Sequence, residues 1–264
     1  MMNFKSIPNE YEYLSWPEVK NIAEKKRSTI IWPFGAIEQH GPHLPLATDG
    51  IFVEGIIDEV LKLLPDEIPL KKIPTQFIGF SPEHLGFDGT LSLSSGLLIS
   101  MIVEVGKQIS DMGFKRLILL NAHGGQISLL STASRELKNK APKLSIFPCF
   151  LWSGVKGLNN LVSKSELDNG LHASLAETSL MMEIRPDLVG DERPYEDISS
   201  KIPEGWSLEG DAPLAWSTKE LSNSGVIGDS RGANKKLGED LKKLLVNHWY
   251  NMLLSLMSSD WPNN

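Results

Sequence analysis

Short runs of β-branched and aromatic residues alternate along the chain with longer stretches in which apolar side chains recur every three or four positions. The first run, Ser28 to Phe34, is apolar without alternation, as expected of a strand buried on both faces. A helix is predicted from Ile51 to Leu64, with Ile56, Ile57, Val60, Leu61 and Leu64 at helical spacing and Pro65 just beyond. Leu70 to Ile78 reads as a second strand. Leu97 to Met112 reads as a helix with Ile102, Val105 and Ile109 inward, closed by Gly113. Lys115 to Leu120 is the clearest central strand. A helix over Ile127 to Lys140, a strand over Leu144 to Trp152 and a helix over Leu171 to Ile184 follow. From Arg185 to Arg231 prolines and glycines interrupt any period, and this loop-rich segment is expected to wrap the core or meet a neighbouring subunit. Asn234 to Met257 closes the chain as an amphipathic helix. Strands alternating with helices in this way are the signature of parallel βαβ units, so the fold class is α/β with a mainly parallel sheet, in a single domain over residues 1–264.

Composition narrows the partners. The chain has 264 residues, 41% hydrophobic and 22% charged, which suits one large globular domain. A formal net charge of −7 gives no electrostatic reason to expect nucleic acid or an anionic membrane. No apolar stretch reaches the roughly 20 residues a membrane helix requires. The stretch from Met1 to Tyr13 lacks the apolar core of a signal peptide. The one cysteine, Cys149, sits in an apolar run and reads as a buried structural thiol in a reducing compartment. A cytoplasmic protein is the expectation.

The chemistry concentrates where predicted strands end. Glu38 and His40 follow the first strand, and residues two apart in an extended backbone point the same way, so they converge while Asp49 returns beyond a Gly-Pro turn. The central strand runs into Asn121-Ala122-His123-Gly124-Gly125, and the carboxyl ends of parallel strands are where such sheets bind ligands. The predicted helix after Gly170 adds His172 and Glu177, which five residues of separation turn about 140° apart, suiting different roles. Carboxylates and imidazoles together suit zinc, manganese or a related divalent ion better than calcium. The glycines after His123 also allow a phosphate-cradling loop, but the Gly-Lys-Ser/Thr ending of a P-loop is missing. No Gly-x-Ser-x-Gly elbow offers a nucleophile, which favours metal-activated water. A non-catalytic metal- or ligand-binding module is the reading from another class.

The segments Gly35-Ala36-Ile37-Glu38-Gln39-His40-Gly41-Pro42-His43 with Asp49, Phe87-Asp88-Gly89-Thr90-Leu91-Ser92-Leu93, Asn121-Ala122-His123-Gly124-Gly125 and His172-Ala173-Ser174-Leu175-Ala176-Glu177-Thr178-Ser179 resemble the creatininase (creatinine amidohydrolase) family. That resemblance implies a three-layer α/β/α sandwich and a hydrolase of a non-peptide C–N bond in a cyclic amide or amide. It also implies two divalent ions per subunit, zinc or manganese with iron as a variant, a metal-bridging water, and often a hexamer. Carried over by position, Glu38 and His123 hold one metal, His40 the other, and Asp49 bridges. His172 passes a proton to the leaving nitrogen, and Trp152, Ser81, His84 and Gly124 contact a small-molecule amide substrate. Gly124 and Gly125 stand where creatininases carry tyrosine and a metal-binding glutamate, so Glu177 is expected to supply the missing carboxylate. Asp168 and Asn169 stand in place of a Trp-Asp pair of the creatinine pocket. The His-Gly-Gly version is closer to branches that include deformylases of formamidopyrimidine intermediates and a peptidase of peptide-derived cofactor maturation.

Overall fold

The computed structural model describes residues 9–198, 201–209 and 212–262; residues 1–8 of the N-terminal stretch, and parts of the loop-rich segment, lie outside the described residues. Four parallel strands form the central sheet: β1 (Thr29–Phe34), β2 (Leu70–Lys72), β3 (Arg116–Asn121) and β4 (Ser145–Phe150), in the order β2-β1-β3-β4. All six residues of both β1 and β3 are buried, which accounts for their unbroken apolar text. Alternation still sorts their side chains between two cores. Ile30, Trp32, Phe34, Leu117 and Leu119 pack against α1 (Trp16–Ala23), α3 (Ser95–Asp111) and α4 (Ile127–Lys140) on one face. Ile31, Ile118 and Leu120 pack on the other face against α2 (Thr48–Leu63), α6 (Leu175–Ile184) and α8 (Lys235–Ser258). Helices thus cover both faces, the expected three-layer α/β/α arrangement.

Several boundaries differ from the sequence pattern, each for a local reason. β2 has three residues rather than nine, because the pairing with β1 slips by one residue around Pro74, the Ile73 amide donating to the Ile31 carbonyl and the Gln76 amide to the Pro33 carbonyl. α2 begins at Thr48 rather than Ile51, so Asp49 lies in its first turn and not in the preceding loop. The helix expected from Leu171 begins only at Leu175. His172 instead sits in extended backbone bridged to Ile227, and Ala173 turns the chain at φ 52° before α6 starts. A short helix α5 (Lys164–Asn169) precedes it, capped by the Ser163 side chain. The loop-rich segment carries α7 (Thr218–Leu221) and a two-stranded antiparallel pair, β5 (Tyr195–Glu196) with β6 (Gly228–Asp229).

Three further details frame the molecule. Gly35, at the exit of β1, lets the start of α2 come so close that a β-carbon there would stand 2.5 Å from the Gly50 nitrogen. Arg116 is buried at the base of β3, and its guanidinium donates to the carbonyls of Leu256, Ser259 and Trp261, tying the end of α8 to the sheet. The open edge of β4 holds Pro148 at its centre, since the amides of Ser145 and Leu151 turn inward to β3 and its flanking loop. The opposite edge is covered: Glu10 bridges Lys72, and the Lys72 amide donates to the Asn9 carbonyl at 2.8 Å. Among the described residues no helix is long and apolar enough to cross a membrane.

Candidate metal centre

Glu38 and His40 leave β1, Asp49 comes from the first turn of α2, His123 follows β3, and His172 and Glu177 flank the turn into α6. All of these meet at the carboxyl end of the sheet, together with His84 from the Pro82–His84 turn. Asp49 stands between two histidines: its Oδ1 is 3.5 Å from His40 Nε2 and its Oδ2 is 3.5 Å from His123 Nδ1. Glu38 Oε2 is 3.2 Å from His123 Nδ1, and Glu38 Oε1 is 3.7 Å from His40 Nε2. His40, Asp49 and Glu177 each offer a ligand atom within 4.8 Å of one another.

Hydrogen bonds assign the ring tautomers. His40 Nδ1 donates to the Glu38 carbonyl at 3.1 Å, which leaves the Nε2 lone pair facing the acids. His123 Nε2 donates to the Phe80 carbonyl at 3.1 Å, leaving Nδ1 free to face Glu38 and Asp49. His40 Nε2 and Asp49 Oδ2 are buried and have no hydrogen-bond partner, an expensive arrangement unless a cation occupies the space between them. The electrostatics agree. Burial pushes the Glu38 carboxyl up, but His123, His84 and His40 hold it well below the usual range. Burial pulls His40 down, yet Asp49, Glu38 and Glu177 raise it to about 9. The acids therefore draw protons onto the rings when nothing else neutralises them, the behaviour of a site built for metal cations.

Glu177 has two tasks. Its Oε2 accepts the Ala173 amide at 2.7 Å, steadying the left-handed residue at the head of α6, while the carboxyl also faces His40 and Asp49. Burial and the neighbouring Asp49 raise it to about 7 against the opposing pull of His40. His172 Nε2 donates to the Gln39 carbonyl at 2.6 Å, and its Nδ1 lies 3.8 Å from Glu38 Oε1. Burial, then His84 and His40, hold its pKa well below the ordinary value.

Ser81 and His84 are buried beside Glu38. The Ser81 hydroxyl donates to Glu38 Oε2 in a short hydrogen bond. His84 Nδ1 lies 2.8 Å from both Gln39 Nε2 and the Thr218 hydroxyl, and its Nε2 faces Glu38 Oε1 at 3.7 Å. Trp152 and Gly124 do line a cavity of about 190 Å³ beside the centre, with Leu167, Leu171, Glu177 and Glu209. Sequence reasoning missed Gln39, whose Oε1 accepts the Gly41 amide and whose Nε2 donates to the Gly225 carbonyl, binding its own loop to that of Gly225. It also missed Glu83, 3.2 Å from His123 Nε2. Gln39 had a signal, since it alternates with two ligand-type residues. Glu83 had none.

A mycofactocin precursor peptide peptidase of Mycolicibacterium smegmatis is 28% identical over 227 residues, 83% of this chain and 81% of that one. A creatinine amidohydrolase of Pseudomonas putida is 24% identical over 204 residues, covering 72% and 77%. A manganese creatininase structure superposes with a TM-score of 0.77 at 21% identity, over 96% of this chain and all of that one. A mutant creatininase complexed with creatine superposes at 0.76, with 20% identity and the same coverage. The creatininase family model, described as creatinine amidohydrolase, matches residues 12–253. The chain belongs to the creatininase family of metal-dependent hydrolases.

Proposed function

We propose that this chain hydrolyses an amide bond of a short peptide or peptide-derived molecule at a centre for two divalent ions, zinc or manganese. Asp49 carries the reading: a carboxylate whose two oxygens face two different histidines, one oxygen buried without a partner, is suited to bridging two cations. Glu38 and His123 would hold one ion, His40 and Glu177 the other. When bound, such ions polarise an amide carbonyl and lower the pKa of a water. The chain's own part begins with His172. Its neutral Nδ1 takes a proton from the attacking water and delivers it to the departing nitrogen, so that OH adds to carbon and H to the amine as the C–N bond breaks. Gln39 keeps that ring oriented through its carbonyl, and the apolar wall around Trp152 keeps bulk water from the reacting atoms.

The peptide substrate is favoured over creatinine by Gly124, which lines the cavity where creatininases carry tyrosine, and by the likeness to the peptide peptidase. A homo-oligomer, a hexamer by family resemblance, and a cytoplasmic site of action belong to the same reading. The test is hydrolysis of short peptides, creatinine and a formamidopyrimidine by zinc- and manganese-loaded protein. Peptide turnover that chelation abolishes, and that Glu38→Gln lowers on the order of 10²-fold or more, is expected. Faster turnover of creatinine than of any peptide would overturn the substrate. Full metal content and activity in Glu38→Gln and His123→Ala would overturn the site.

A further inference from the structure

We propose that Glu83 is a positioning residue for His123, and that residue 125 is glycine because the Glu83 carboxylate occupies the space a side chain there would need. The inference rests on the reading of the site as a metal centre. Glu83 Oε1 lies 3.2 Å from His123 Nε2, whereas Glu38 and Asp49 face the same ring at Nδ1. The two nitrogens of an imidazole point apart, so Glu83 faces the ring from the side opposite Glu38 and Asp49, its carboxylate still within 4.8 Å of a Glu38 oxygen. Its carboxylate lies beside the Nε2–H that the Phe80 carbonyl accepts. An acceptor at the far nitrogen fixes the tautomer and the ring plane, and a charged one raises the basicity of the ligating nitrogen.

Gly125 makes room for this. A β-carbon built there would overlap Glu83 Oε1 and stand 2.7 Å from His123 Nε2. Its φ lies outside the left-handed region, so space and not backbone conformation calls for glycine. The Glu83 turn is itself anchored, its carbonyl accepting the Thr218 hydroxyl at 3.1 Å. The chain thus carries a carboxylate beside the far nitrogen of His123 from the Pro82–His84 turn.

The experiment compares zinc and manganese affinity, by competition with a chromophoric chelator, in wild type, Glu83→Gln, Glu83→Ala, Gly125→Ala and the Glu83→Ala/Gly125→Ala pair. Unfolding midpoints of the chelated proteins serve as the control for folding. Glu83→Ala is expected to weaken binding of the ion at His123 about 10- to 100-fold, and Glu83→Gln, which keeps an acceptor, less. Gly125→Ala is expected to match Glu83→Ala, because the methyl pushes the carboxylate off the ring, and the pair to be no worse than either alone. Wild-type affinity in Gly125→Ala, or losses that add in the pair, would overturn the proposal. Wild-type protein that binds neither ion would instead overturn the metal-centre reading beneath it.

Discussion

His43 is a histidine of the same loop put to a different use from His40. It is buried at 2% exposure, with Nε2 2.8 Å from the Thr178 hydroxyl, and burial, then Arg193 and His40, lower its pKa to about 4. A folded value below the unfolded 6.5 means the native state holds the ring neutral. Its contribution is complete above about pH 6.5 and is lost as pH falls toward 4, amounting to about 3 kcal/mol. Denaturant unfolding of chelated protein at pH 7 and pH 4.5 should show a loss larger by about that amount in wild type than in His43→Gln; equal losses would sink it. At this scale, the sequence made legible what local spacing controls. Glu38 and His40 converge because alternate residues of an extended chain share a side. Ser81 and His84 were expected to contact substrate, and their contacts with Glu38 were not legible, since that partner lies more than forty residues away.

The long helices were read to within a few residues because apolar periodicity over four turns is hard to mistake. α6 was not, because Leu171, His172 and Ala173 continue an apolar text that only tertiary pairing with Ile227 makes extended. That pairing is what aims His172 into the centre. Close contact between helices is the other element-scale feature hidden from sequence. Gly238 brings α8 so near α6 that a β-carbon would overlap the Ser179 carbonyl, a backbone atom that cannot rotate away. Gly238→Ala should therefore destabilise the protein by about 1–3 kcal/mol, through overpacking that outweighs the better helix propensity of alanine. A denaturant midpoint equal to or above that of wild type would show that the two helices separate without strain.

Across the whole molecule, the centre draws on segments from Glu38 to Glu177 that share only their arrival at one end of the sheet. The strand–helix alternation made that end legible; the pairing of Glu83 with His123 depends on a loop path that no periodicity encodes. Ions binding here should stabilise the fold as a unit. At a free concentration a thousandfold above Kd the gain is about 4 kcal/mol, or roughly 10 °C in Tm for a chain of this size. Calorimetry with zinc or manganese and with chelator measures it, and identical midpoints would rule out a metal seat shared by these elements. The two sheet edges carry a further consequence. Pro148 deprives the middle of the β4 edge of a donor, and Asn9 and Glu10 cover β2. Neither edge can zip onto a second copy as a continuous ladder. Any assembly of copies would therefore have to be closed by helices and loops, and the same blunted edges guard concentrated protein against fibre growth by strand addition.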